Sequence, residues 1–406
     1  MQNLISILFL LPFLLVLSGA LYLYSLSLAS LKPRPALPAS SKQKGTFGAV
    51  VPAHNEASVI ERTIRSIRCA NYPSHKLDVF VVADHCSDET ARVARDSGAK
   101  VYERNEGDRG KGPALSWLFQ HILNTEEAPE QIVIFDADTQ VDEMFFDIMD
   151  RRFNREVCVI QGRHVIRNPQ AGWYPSLTWA MFMLNNRYEN LGRCNLGLSA
   201  KNMGDSIAFQ TDVLRQHGWG EGLTEDFEYR QKLLLNGLKI FYEPEAVGYG
   251  DAPITWREAS AQRQRWLRGS YQASRKHDRL MLKKGVRTRN WALIDGALHA
   301  ILPAYSTLTM ISGAFLFLSI IVKSLLWEWI PPGWAALFVL LFLFPLLNLA
   351  FERAPLKAFM VILSGPVFII WRTWLGIYSR FIRQKMEWIR TPRHQDSNPT
   401  KTPPAD

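Results

Sequence analysis

The chain has 406 residues, 47% of them hydrophobic and 12% aromatic, ample for a large core and more than one average domain. Its net charge of +9 gathers just after the first apolar segment, along residues 257–289 and after residue 379, each time beside a long apolar run. That placement suits an anionic membrane surface, and with no zinc-ligand spacing or other recognisable module it argues against a nucleic-acid partner. Cys69, Cys86, Cys158 and Cys194 form no CxxC pair and read as reduced residues of a cytosolic domain.

Residues 4–31 carry no charge and exceed the roughly 20 residues that a membrane-crossing helix needs. No Lys or Arg precedes this run, and it is too long for a signal-peptide core of about 7 to 15 residues. Residues 1–31 are therefore expected to be an uncleaved transmembrane anchor. Lys32, Arg34, Lys42 and Lys44 follow it, which places the downstream side in the cytoplasm. Residues 32–45, with Pro33, Pro35, Pro38, Ser40 and Ser41, read as a short stiff linker.

From 46 to 250 the apolar runs "TFGAVV", "LDVFVV", "QIVIF" and "EVCVIQ" alternate with helix-length polar segments such as "ASVIERTIRSIRCA" and "DETARVARDSG". The alternation predicts an α/β domain with a mostly parallel sheet and its ligand at the carboxyl ends of the strands. Three runs end in acids or amides. "VVPAHNE" offers His54, Asn55 and Glu56; "VFVVADHCSDE" offers Asp84 and Asp88; "IVIFDADTQ" offers Asp136 and Asp138. On an extended strand, residues two apart share a side, so Asp136 and Asp138 would converge. A divalent cation that also binds a diphosphate, Mg2+ or Mn2+, would remove their repulsion.

"GDRGKGPAL" is not a Walker phosphate loop, because Asn105 and Gly112 stand where that pattern needs Gly and Ser or Thr. Lys111 there either approaches a phosphate or packs at a helix start. "GLTEDFEYRQKLLLNG" reads as a turn and helix, with Thr224 as cap and Glu225 and Asp226 in the first turn, kept ionised by the helix dipole as a general base requires. Residues 251–290 read as amphipathic interface helices. In "AQRQRWLRG", Gln262, Arg265 and Trp266 share one helical face: an amide, a cation fit for a leaving diphosphate, and an apolar plate. Arg257, Arg263, Arg268, Arg275 and Lys276 support a lipid-facing reading of the rest of that segment.

Residues 291–380 form an apolar region of about three spans, at roughly 293–326, 334–350 and 358–378. Three spans put the basic tail, with Arg380, Arg383, Lys385, Arg390 and Arg393, on the far side of the membrane, against the positive-inside tendency. Residues 381–406 read as a basic, partly disordered tail.

In this order and at these separations, "PAHNE", the Asp after the second strand, DxD, TED and QxxRW resemble the membrane-bound family 2 glycosyltransferases. That group contains the cellulose, chitin and hyaluronan synthases and the ceramide glucosyltransferases. The likeness runs from about Thr46 to Arg268. It implies a GT-A fold flanked by transmembrane helices, in an integral protein of the plasma (inner) membrane with its catalytic domain cytoplasmic. By similarity Asn55, Glu56, Asp84, Lys111 and Asp136 would bind the nucleotide sugar, expected to be UDP-linked, and Asp136 and Asp138 the metal. Asp226 would be the base, Glu225 and Trp266 would lie on the acceptor side, and Gln262, Arg265 and Trp266 would close over the diphosphate and the acceptor end. An inverting, metal-dependent transfer to a polysaccharide end or a lipid follows. A single-addition lipid glycosyltransferase is one alternative, and a non-catalytic nucleotide-sugar-binding membrane protein is an alternative of another class. Ala83 replaces an acid common in relatives, and "GDSIAF" replaces a more glycine-rich loop. No gating-loop motif of the cellulose synthases is present.

Overall fold

The computed structural model describes residues 2–381 except 35, 41–43, 154–155, 221, 223 and 303; the tail from 382 onward lies outside the described residues. The chain opens with α1 (Gln2–Ala29), 28 residues without a charge. The linker after it is tied down, since Arg34 pairs with Glu243, Arg151 donates to the Pro38 carbonyl, and Lys44 pairs with Asp147. β1 (Phe47–Ala53) is a nearly continuous apolar run because both its faces are buried. In α2 (Ile60–Arg68), Ile60, Thr63, Ile64 and Ile67 recur at helical spacing and form its buried stripe.

The same logic continues through β2 (Leu77–Asp84), α3 (Thr90–Asp96), β3 (Lys100–Arg104), α4 (Lys111–Ile122), β4 (Gln131–Ile134), β5 (Gln140–Val141), α5 (Phe145–Arg152) and β6 (Val159–Ile166). After α6 (Trp173–Leu184), a π-helical stretch (Asn185–Gly192) and α7 (Arg193–Asn195) come β7 (Ile207–Gln210), α8 (Thr211–His217), α9 (Glu225–Leu235) and β8 (Phe241–Gly250). The sheet order is β3-β2-β1-β4-β7-β6-β8-β5. β3, β2, β1 and β4 are parallel; β7 runs against β4 and β6, and β8 lies parallel to β6. The strands that alternation did not predict, β3, β5, β7 and β8, are short, lie at an edge, or interrupt apolar residues with Gly, Pro and charge.

Core residues cover both faces of the sheet. Phe47, Phe135, Phe145 and Phe146 pack on one, with Phe135 and Phe145 edge-to-face at 5.1 Å, and Leu115, Leu118, Phe209 and Tyr229 pack on the other. Cutting one such ring to alanine costs about 3–5 kcal/mol.

Beyond the sheet, Thr255 and Glu258 form a capping box that starts α10 (Trp256–Thr288), one helix of 33 residues rather than several. α11 (Trp291–Ile301), α12 (Tyr305–Ile321), α13 (Ile330–Phe351), α14 (Leu356–Ile362) and α15 (Gly365–Phe381) complete the chain. α1 and α13 are both long and apolar enough to cross a membrane. They run parallel: Gln2 bonds the Leu326 carbonyl at their start, Tyr24 bonds the Leu340 carbonyl, and Ser27 bonds Asn348 near their end. That end meets the α/β domain, where Arg163 and Arg187 hold Glu352. The chain returns to the far end through α11 and α12, with Phe315 of α12 stacked on Trp334 at 5.0 Å.

Over the expected span at 358–378 the chain forms two helices that together are apolar enough to cross a membrane. α14 and α15 are bent by 48°. Ser364 at the bend accepts a hydrogen bond from Trp173 of the domain, and Trp371 packs on Tyr174 and Trp256. Arg372 reaches Ser306, at the domain end of α12. These contacts hold α14 and α15, through Arg372, at the domain end of the bundle.

Candidate active site

The carboxyl ends of β1, β2 and β4 open on a cleft of about 1120 Å³, closed from the other side by α9, α10 and α6. Glu56, Asp84, Lys111, Asp136, Asp138, Glu225, Asp226, Gln262, Arg265 and Trp266 all line it. Asn55 does not. It takes a left-handed φ of 55°, and its side chain accepts from the Ser87 backbone N–H at 2.7 Å, which ties the β1 turn to the β2 turn. Asp84 lines the cleft as a committed anion: it pairs with buried Arg104, and its other oxygen takes the Gly110 N–H at 3.3 Å.

The DxD does not lie on a strand. β4 ends at Ile134 and the motif turns, with the Thr139 N–H on the Asp136 carbonyl at 3.1 Å. The convergence of Asp136 and Asp138 on the cleft is thus a property of a turn, pinned by Asp205, whose carboxylate takes the Asp136 N–H and the Thr139 hydroxyl, each at 2.9 Å. Lys111 stands at a helix start and also lines the cleft. Following Gly110 at φ 134°, it opens α4 and reaches across to Asp136 Oδ1 at 2.5 Å and the Gly204 carbonyl at 2.6 Å. Burial works against its charge, but Asp136 and Glu225 raise its pKa above the usual lysine value.

Carboxylates outnumber cations along the cleft. Such a surface repels a diphosphate unless a multivalent cation joins it, so the donor set fits a divalent ion. Among the described residues no group of three or more His, Cys, Asp or Glu forms a complete metal cage. Two carboxylates with the remaining positions left to substrate phosphates is the pattern that magnesium prefers.

On the opposite wall, α9 places Glu225 and Asp226 in its first turn, and the Phe227 N–H donates to Asp226 Oδ1 at 2.8 Å. Thr224 sits at the N-cap, yet its side chain makes no capping bond. The dipole does not hold these acids at ordinary values. Burial raises both, Glu225 to about 7 with the Asp226 charge next to it adding to the rise. Gln262, Arg265 and Trp266 reach the cleft together, as their shared helical face predicts.

Residues passed over in the sequence complete the site. His164 of β6 donates to Asp205 Oδ2 at 2.5 Å, and Phe182 tilts over its ring at 5.0 Å. Burial opposes protonation of this imidazole, yet Asp205, with Asp136 and Asp138 behind it, raises its pKa. Thr178, one turn before Phe182 on α6, is buried in the same wall with its hydroxyl unpartnered. Asp205 lies within "GDSIAF", just before the unpredicted β7, and neither it nor His164 carried a signal, because the two partners are 41 residues apart.

The family model described as "Glycosyltransferase like family 2" matches residues 44–269. A probable glycosyltransferase, YdaM, of Bacillus subtilis is 24% identical over 56% of this chain and 56% of its own length. Beta-monoglucosyldiacylglycerol synthase of Trichormus variabilis is 26% identical over 70% of this chain and 61% of its own. Poly-beta-1,6-N-acetyl-D-glucosamine synthase of Staphylococcus aureus is 24% identical over 60% and 58%. The matches thus span less than two thirds of these relatives' lengths. Among solved structures, a mannosyltransferase from Pyrobaculum calidifontis in complex with GDP-Man and Mn2+ superposes with a TM-score of 0.55 at 19% identity, over 94% of this chain and 97% of that one. The fold is GT-A, and the chain belongs to the family 2 glycosyltransferases.

Proposed function

We propose that the chain is an inverting, divalent-metal-dependent hexosyltransferase working at the cytoplasmic face of the plasma membrane. It moves a sugar from a nucleotide-diphosphate donor, UDP-linked in the first instance, to a hydroxyl of a membrane-borne acceptor. The observation that carries this reading is convergence: Asp136 and Asp138 from the β4 turn, Asp226 from α9 and Arg265 from α10 face one cleft. Glu56 and Asp84 frame the nucleoside end. Asp226 takes the proton of the acceptor hydroxyl as that oxygen attacks the anomeric carbon. Arg265 stabilises the charge that grows on the departing diphosphate, and Trp266 walls the acceptor. Asp136 and Asp138 would hold the metal, which neutralises the diphosphate. A single base and one leaving group give in-line displacement and inversion.

A lipid acceptor fits this cleft well, since its inner wall is α6, and α6 packs on α13 and α14. The growing end of a polysaccharide is the second reading, supported by the comparable similarity to a polysaccharide synthase and a glycolipid synthase. In the membrane, α1, α12 and α13 each cross, and α14–α15 lies along the domain-side surface. Membranes with manganese or magnesium and a panel of labelled UDP and GDP sugars test the activity. Release of nucleoside diphosphate with one donor is expected, and no release with any donor overturns the enzymatic reading. Label extracted into chloroform–methanol indicates a lipid product; label in a water-soluble polymer indicates the polysaccharide.

A further inference from the structure

Where α10 meets α15, beside Trp266 of the cleft wall, Arg263 packs on Phe368, and Arg372 follows Phe368 by one turn of α15. Arg263 stacks on Trp266 of the cleft wall at 5.0 Å from the ring centroid and on Phe368 of α15 at 5.3 Å. It bonds the Tyr174 hydroxyl over a long 3.4 Å, and its Nε is buried with no partner. Arg372, from α15, donates to Ser306 of α12 and lies within electrostatic reach of Arg263. Neither makes an ion pair with a carboxylate among the described residues. Lys201 is also within reach of Arg372, and it is paired with Glu189.

Like charges held together in half-buried aromatic surroundings repel unless an anion joins them, and paired guanidiniums match the geometry of a phosphate. The surroundings identify which phosphate. Trp173, Trp256 and Trp371 form an aromatic cluster beside the pair, the composition of a membrane–water boundary. Val367, Ile370 and Trp374 of α15 are 60%, 68% and 56% exposed, an apolar face that a free ion leaves bare and an acyl chain covers. We propose that Arg263 and Arg372 form a phosphate site for a membrane lipid at the rim of the sugar-transfer cleft, with that lipid's chains against α15. The inference rests on the membrane placement proposed above and not on the transfer reaction.

The test is calorimetric binding to the purified full chain in detergent without any nucleotide sugar, so its outcome is separate from that of the donor panel. The probes are dioctanoyl phosphatidic acid, dioctanoylglycerol and inorganic phosphate. Phosphatidic acid is expected to bind at least about 10-fold more tightly than the other two, and R263Q or R372Q to weaken it by about 10-fold or more, as loss of a charged hydrogen bond does. R263K and R372K should restore part of the loss, with nucleoside diphosphate binding as the folding control. In the unaltered protein, phosphatidic acid should bind less tightly as salt rises. Equal binding of dioctanoylglycerol, equal binding of inorganic phosphate, unchanged affinity in folded glutamine variants, or salt-independent binding each overturns the proposal.

Discussion

Asp226 and Glu225 sit side by side in a buried first turn, and this burial sets how the reaction responds to pH. Folding raises both carboxyls, so the native state holds protons that the unfolded chain releases. Stability supported by these acids is therefore present at low pH and declines as pH rises from the ordinary carboxylate range to about 7, the value for Glu225. Turnover runs the other way, because a base must be ionised. The rate should climb with pH as Asp226 ionises, and at lower pH than Glu225 titrates, because the Asp226 charge is part of what pushes Glu225 up; Glu225→Gln should leave that limb of the pH–kcat profile in place, and a limb that moves would make Glu225 the titrating base. Asp226→Asn should lower kcat by about 100-fold or more while donor affinity barely changes. Asp138→Asn should abolish turnover and weaken donor binding in the presence of metal, and Arg265→Ala should weaken nucleoside diphosphate binding as well as slow transfer. Full activity of the wild-type chain in excess chelator would remove the metal from the scheme.

At the scale of elements, the position of α9 depends on two contacts. Gly269 of α10 faces Thr224, and a Cβ there would stand 2.5 Å from its Cγ2 and 2.9 Å from its Cβ. Gly269→Ala gains about 1 kcal/mol of helix propensity against an overpacking cost of about 1–3 kcal/mol. The displaced Thr224 carries the first turn of α9 with it, so kcat should fall several-fold with little change in thermal stability. The second contact is a buried ionic node. Asp295 of α11 accepts from Arg193 at 3.1 Å, pairs with Arg230 of α9 at 3.5 Å and takes the Tyr22 hydroxyl of α1. Arg230 follows Asp226 by one helical turn, so the node ties the helix of Asp226 to the apolar bundle. Asp295→Ala leaves two buried guanidiniums uncompensated and should cost about 3–5 kcal/mol, read as a fall in Tm of the detergent-solubilised protein.

For the whole molecule, α1 and α13 run parallel and the chain between them returns by α12; on the membrane placement proposed above these three helices cross and α14 and α15 stay on the domain side. A membrane-impermeant maleimide applied outside intact spheroplasts should label Glu328→Cys, in the far loop, and spare both the exposed Cys69 of the domain and Leu363→Cys. Labelling of Leu363→Cys alongside Glu328→Cys would make α14–α15 a crossing after all. On that proposed placement the clash between three C-terminal spans and the positive-inside tendency would not arise. Sequence alone determined what depends on neighbours a few residues apart: the uncharged length of α1, the apolar runs of β1, β2 and β4, the i, i+3, i+4 face of Gln262, Arg265 and Trp266, and the order of acidic motifs that marks the family. It could not determine what depends on groups far apart in the chain. That Asn55 serves Ser87 and Asp84 serves Arg104, that Lys111 answers Asp136, and that His164 meets Asp205 follow from which loops the sheet order places together. The bend at Ser364 was equally hidden, because hydropathy reports that a segment prefers an apolar setting and carries no direction. Its direction comes from Trp173 and Ser306, contacts that exist once the domain and the bundle are packed.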